Sequence, residues 1–213
     1  PFLDDDDIIT TNDTTTTATP IEPPIIQRHH PTTLHADDNT TPTSSSSNSN
    51  ELTEAIAHSA SIHTLNLEDN QISLEGCQNL QFILQNNKSL VTLQLGGNKI
   101  GEDGLQLIAQ GLMSDNNTTL LHLNLMNNYI CNGVGSTKLS NVLLSNSICS
   151  NLITLDLSVN AIGDSSIHKL SNALAHNTKL KELNLACNKI GDEGCESLAN
   201  ALITNVTLKK LWI

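Results

Sequence analysis

The chain of 213 residues carries 22 acidic against 10 basic side chains, a formal net charge of −12, and only 2% aromatic residues. A nucleic-acid partner needs a basic face, so this balance argues against one. No apolar run approaches the ~18 residues of a membrane-spanning helix, and no basic-then-apolar start resembles a signal peptide, so neither membrane insertion nor secretion is expected.

In chain order, residues 1–50 come first. They are built from Thr, Ser, Asp, Asn and Pro, with runs at Asp4 to Asp7, Thr14 to Thr17, Pro23-Pro24 and Ser44 to Ser47, and with eight acidic residues against Arg28 alone. Such side chains offer too little apolar area to offset the entropy of ordering a backbone, so the segment reads as a disordered tail. Its hydroxyl runs offer sites for phosphate or sugar, although a solvated spacer is the plainer reading. His29, His30, His35, Asp37 and Asp38 match no preformed metal site, and no metal or cofactor is expected.

Residues 51–213 read as one repeat domain. Leu52, Ile56 and Ile62 keep the spacing of Leu198, Leu202 and Leu208, so the array opens on the helix of an earlier repeat. From Ile62 onward one pattern recurs, Leu-x-x-Leu-x-Leu-x-x-Asn-x-Ile. Its first apolar positions are Ile62, Leu90, Leu120, Leu152, Leu180 and Leu208, spaced by 28, 30, 32, 28 and 28 residues.

Each copy predicts a strand and then a helix. In Leu180-Lys-Glu-Leu183-Asn-Leu185 apolar residues alternate near the centre, the period of a half-buried strand. Leu198 and Leu202, four apart, share one helical face, and Asp192 and Glu193 suit the positive end of that helix. Strands that recur through a crossover helix must run parallel with all helices on one side, which gives an α/β solenoid, a horseshoe with strands inside and helices outside. Asn70, Asn98, Asn128, Asn160 and Asn188 recur where each strand turns. Their amides can satisfy backbone groups left free there, a structural role.

The third copy is irregular. It is longer, it replaces the usual turn by Asn128-Tyr129-Ile130-Cys131-Asn132-Gly133-Val134-Gly135, and it holds extra residues in Ser145 to Asn151. Longer loops on a regular scaffold are common places for recognition. The final copy reaches Leu211 and ends inside its strand, so the array is expected to be part of a longer one.

Five cysteines, Cys77, Cys131, Cys149, Cys187 and Cys195, cannot all pair and form no Cys-x-x-Cys arrangement, which predicts free thiols in a reducing compartment. Cys77 and Cys195 stand where other copies hold Leu105 and Ile167, so both are expected in the core. Asn-x-Ser/Thr triplets start at Asn12, Asn39, Asn87, Asn116, Asn117 and Asn205, as expected by chance in so Asn-, Ser- and Thr-rich a chain.

Ile-Gly-x-x-Gly after the asparagine, and Leu-x-x-x-Leu-x-x-Asn before the next strand, resemble the ribonuclease-inhibitor-like subtype of leucine-rich repeat over residues 52–213. The resemblance implies a cytoplasmic protein-interaction module, because ribonuclease inhibitors, the sensor regions of NOD-like receptors and Ran GTPase-activating proteins share such arrays. A partner would be read at the inner-face positions between the leucines. The candidates are His122, Asn124, Asp156, Glu182, Asn184, Lys210 and Trp212, of which Trp212 alone is an aromatic anchor.

The resemblance also leaves two other readings open: a GTPase-activating regulator of a Ran-like small GTPase, and the sensor region of a NOD-like receptor. The first lacks an arginine finger, since the repeats contain no arginine. With no Walker-type phosphate loop, His-Glu-x-x-His motif or Gly-x-Ser-x-Gly elbow, the chain is not expected to be an enzyme.

Overall fold

The computed structural model describes residues 45–115, 119–145 and 151–213, with side chains described from residue 50 onward. Nearly all of the expected tail, Cys149, and the triplets at Asn12, Asn39, Asn116 and Asn117 lie outside the described residues. Helix α1 spans Ser45–Ala57, so regular structure begins ahead of residue 51. Six three-residue strands follow: β1 (Thr64–Asn66), β2 (Thr92–Gln94), β3 (His122–Asn124), β4 (Thr154–Asp156), β5 (Glu182–Asn184) and β6 (Lys210–Trp212). Between them lie α2 (Leu74–Asn86), α3 (Gly101–Leu112), α4 (Val134–Leu144), α5 (Asp164–His176) and α6 (Asp192–Thr204).

The strands form one parallel sheet in sequential order, the α/β solenoid the repeats predict. The register sets equivalent residues side by side, so Leu65, Leu93, Leu123, Leu155, Leu183 and Leu211 make a continuous row across the sheet. All but Leu211 are buried; with Leu95, Leu125, Leu157 and Leu185 they face the inner sides of the helices in one core. Stacking removes this apolar surface from water, which no single repeat could do alone.

Helices approach closely because a small residue stands where they touch. In α4 a Cβ added at Gly135 would fall on the Glu102 carbonyl oxygen of α3 and 2.9 Å from Leu105 Cβ, and one added at Gly104 would meet Cys77 Sγ at 2.7 Å. The second glycine of the Ile-Gly-x-x-Gly motif, Gly194 in α6, likewise meets Asp164 and Ile167 of α5. That glycine sets the helix spacing rather than the turn.

The strand-end asparagines bind successive repeats together. Asn160 Nδ2 donates to the carbonyls of Leu125, Leu157 and Ser158, each at 3.0 Å, while its Oδ1 accepts from the Asn128 and Ile130 amides at 2.9 and 3.0 Å. Asn98 and Asn188 make the same reach back to the preceding copy, through Leu67 and Ile72 and through Leu157 and Ile162. Asn128 is incomplete. Its Nδ2 donates to Leu95, but its buried Oδ1 has no partner. The preceding turn explains the gap: Ile100 is helical (φ −66, ψ −47) and Gly101, at φ +61, donates its N–H to the Asn128 backbone carbonyl instead.

A second row of asparagines caps the helix ends. Asn87, just past α2, donates to Ile56 and Ser59 of the copy before it at 2.7 and 3.1 Å and accepts from the Ser89 and Leu90 amides. Asn177 and Asn205 repeat the arrangement after α5 and α6. The hydroxyls of Ser89 and Thr207 complete it by donating to the Ser59 and Asn177 carbonyls. The triplets at Asn87 and Asn205 therefore have a structural cause, not the compositional one expected, and their amides are already engaged.

Acidic groups fix the helix starts from the neighbouring copy. Glu102 of α3 accepts from the Cys131 amide in the loop ahead of α4 and from the Ser136 amide in its first turn, and Asp164 of α5 accepts from Gly191 and Gly194 at the start of α6. Each carboxylate thus sits where the next helix presents unpaired N–H groups and a positive dipole end.

The cysteines divide differently from expectation. Cys77 is fully buried and its thiol is pushed up to about 12 by loss of solvent, whereas Cys195 is exposed together with Cys131 and Cys187, all four unpaired. Cys195 departs from its counterparts because, among the described residues, nothing packs on the far side of α6. Leu202 on that side is 40% exposed, while its equivalent Leu174 is at 0%. Iodoacetamide at neutral pH is expected to label Cys131, Cys187 and Cys195 in the native protein and Cys77 only after unfolding, as read by peptide mass spectrometry.

Candidate functional site

Every strand from β1 to β5 buries its central leucine and turns its two flanking side chains to the concave face, where they are half covered by their neighbours. Register then lines them into two rows: Thr64, Thr92, His122, Thr154, Glu182 and Lys210 in one, and Asn66, Gln94, Asn124, Asp156, Asn184 and Trp212 in the other. Six of the seven predicted residues, all but Lys210, line one shallow basin of about 280 Å³ over β2 to β6. Lys210 borders it, with Nζ 2.7 Å from Glu182 Oε1 and 6.0 Å from the centre of the Trp212 ring.

The basin floor is a hydrogen-bonded net. His122 Nδ1 lies 2.9 Å from Thr154 Oγ1, and Asn184 Nδ2 donates to Asp156 Oδ2 at 2.9 Å. Asn124 Nδ2 donates to Glu68 Oε1 at 2.7 Å, two copies away, across the gap left by Gly96. Among the described residues the inner face therefore holds the carboxylates of Glu68, Asp156 and Glu182 against the single ammonium of Lys210. This is a wet, polar, acid-leaning surface, suited to hydrogen bonding and to cationic groups.

Part of this row also has a structural duty that sequence reasoning missed. Asn66, Asn124, Asp156 and Asn184 each accept from the backbone amide two residues on, at 2.9, 2.9, 2.8 and 3.1 Å, which shapes the exit of each strand. Gln94 is too long for this, and there the turn is made by Gly96-Gly97 with Gly97 at φ +69. Recurrence of Asn or Asp two residues ahead of the turn was the available signal.

The next position of the turn is left-handed in all five copies: Asp69, Gly97, Asn127, Val159 and Cys187 lie at φ between 52° and 69°. Asp, Gly and Asn tolerate that region, but a β-branched side chain does not, and Val159 at φ 54 carries a penalty of about 1–2 kcal/mol. Tyr129 adds a second left-handed residue, at φ 59, within the irregular third copy.

A larger hollow of about 770 Å³ crosses the convex side over α4, α5 and α6, floored by small residues such as Ser140, Ser171 and Ala201. It gathers none of the predicted residues and follows from small side chains on adjacent helices. Among the described residues no group of three His, Cys, Asp or Glu could hold a metal ion, and no helix is long and apolar enough to cross a membrane.

The same repeats occur in known proteins. The family described as Leucine Rich repeat matches residues 58–80, 86–109, 149–171 and 176–199. Residues 110–148, which include most of the irregular third copy, fall between the matched stretches. Ribonuclease inhibitor of Sus scrofa is 39% identical over 98 residues, covering 46% of this chain and 20% of that protein. NACHT, LRR and PYD domains-containing protein 12 of Mus musculus is 32% identical over 126 residues, covering 59% of this chain and 12% of that protein. The chain thus spans a fifth or less of the length of these relatives. Among solved structures, the tropomodulin C-terminal domain of Caenorhabditis elegans aligns with a TM-score of 0.56 at 14% identity, over 73% of this chain and 92% of that one, a likeness of fold alone.

Proposed function

Because the chain carries leucine-rich repeats of the ribonuclease-inhibitor-like type, modules that generally bind proteins, we propose that its concave sheet face docks another protein without catalysing a reaction. The observation that carries this is the basin itself: six residues chosen for lying between the leucines gather on one open, polar, acid-leaning surface. His122, Asp156 and Glu182 supply its functional contacts, Asn124 and Asn184 hold the carboxylates in place, and Lys210 with Trp212 closes one end. The partner is a protein offering hydrogen-bond donors and cationic side chains, met in the cytoplasm.

The triple substitution His122→Ala, Asp156→Ala and Glu182→Ala is expected to weaken capture of a partner from the source tissue about tenfold or more, at an unchanged circular dichroism spectrum. Undiminished capture by the folded variant would count against the concave face. Faster GTP hydrolysis by a Ran-like small GTPase on adding this chain would instead favour a GTPase regulator. The match to a NACHT, LRR and PYD domains-containing protein favours one second reading, that these repeats are the sensor region of a larger receptor; a nucleotide-binding domain encoded in the same gene would establish it.

A further inference from the structure

Met126 and Tyr129 in the turn after β3, and Val159 in the turn after β4, are exposed apolar side chains at the exits of two strands that line the basin. Met126 is tied to the floor, since its amide donates to Asn124 Oδ1 at 2.9 Å. Ser158, next to Val159, donates to Asp156 Oδ1 through both its amide and its hydroxyl. The two loops are joined by the Asn127 amide, which donates to the Ser158 carbonyl at 3.0 Å. Met126, Val159 and Tyr129 are 41%, 43% and 68% exposed. In the same places other copies carry Glu68, Gly96, Ser158 and Ala186 for Met126, and Asp69, Gly97, Asn127 and Cys187 for Val159, so neither place holds another large aliphatic side chain.

Valine is the wrong residue for this backbone on stability grounds. The left-handed turn favours Gly, Asn or Asp, and an exposed valine side chain gains little from burial in return. Two left-handed, exposed, apolar residues beside a polar basin indicate a function that opposes local stability. We propose that Met126, Tyr129 and Val159 are the apolar anchor of the concave docking surface. They seat an aliphatic or aromatic side chain on a partner loop, next to a lysine or arginine that reaches Asp156 and Glu182. Charge complementarity selects the basic neighbour, because among the described residues of the inner wall three carboxylates, Glu68, Asp156 and Glu182, stand against one ammonium, Lys210, which pairs with Glu182 alone. This assignment rests on the concave-face reading given above, and adds the chemistry of the segment that face takes.

The strain makes the test clean. Val159→Asn places a residue suited to φ 54, so its melting temperature should rise by about 2–4 °C, and loss of binding in that variant cannot be ascribed to unfolding. Displayed twelve-residue peptides are selected on the folded 213-residue chain and their consensus is read. The expected consensus joins an apolar residue to a lysine or arginine. Its affinity should fall about tenfold in Val159→Asn and in Met126→Ser, and also in Asp156→Ala with Glu182→Ala. Peptides lost by the acidic pair but retained by both Val159→Asn and Met126→Ser would overturn the apolar anchor and leave the concave-face reading standing. Peptides indifferent to both sets, or no binders at all, would overturn both. A lower melting temperature for Val159→Asn would also overturn the proposal, since valine would then serve stability.

Discussion

Asn160→Ala is expected to lower stability by roughly 3 kcal/mol, a fall in melting temperature of about 6–12 °C in a domain of this size. The side chain donates to three carbonyls and accepts from two amides, and these groups belong to two different copies. Alanine would strand the Asn128 and Ile130 amides away from water, at about 1–3 kcal/mol for each buried donor left unmade. Asn70→Ala is the control. Asn70 donates only to Leu67 and Glu68 within its own turn, and its loss should cost about 1 kcal/mol or less. Equal shifts for the two variants in thermal melts would show that the links between copies carry no extra stability.

Gly135→Ala is expected to destabilise by about 2 kcal/mol, against the sign that helix propensity predicts. Gly135 is the second residue of α4, where alanine gains at most the about 0.8–1 kcal/mol over glycine that it has in a helix interior. Here, however, the new methyl group would fall on the Glu102 carbonyl oxygen and lie 2.9 Å from Leu105 Cβ, so it meets backbone and a β-carbon rather than a flexible tip. Overpacking of that kind costs about 1–3 kcal/mol or more, and α4 can escape only by moving off α3. Urea unfolding measures the net effect, and a stabilised variant would mean that the two helices separate freely.

The scaffold was legible because its signals are chemically extreme and phase-locked. Leucine at three fixed positions per copy is compatible with few folds, and the fixed spacing alone yields strand, helix and the parallel sheet. The asparagine links at Asn98, Asn160 and Asn188 were readable for the same reason. Asn87, Asn177 and Asn205 were harder: in a chain so rich in asparagine, a polar residue after a helix looks solvated, and only the folded chain shows its amide turned inward to Ile56, Leu143 or Leu174.

Placing the concave residues needed only the alternation of a strand, so His122 through Trp212 could be named in advance. Their partnerships could not. Glu68 reaches Asn124 because Gly96 leaves room two copies along the sheet, a fact of three repeats at once. Cys195 misled because its column describes interior copies, and burial at an edge depends on what lies beyond it. Val159 was visible in principle. Reading down the turn column, Asp69, Gly97 and Asn127 accept a left-handed backbone; Cys187 and Val159 depart from that pattern, and of the two only valine is β-branched.

The reach of Asn98, Asn160 and Asn188 into the copy before, and of Glu102 and Asp164 into the copy after, bears on how such a gene can grow. Each of these bonds spans about one period, so a duplication of one period supplies a matching donor for each acceptor wherever the cut is made. A change of length inside the strand or helix would break both sets together. Among the described residues, the lengthened third copy adds to the segment between β3 and α4, where an insertion escapes that constraint and a new recognition surface can be tried without cost to the frame.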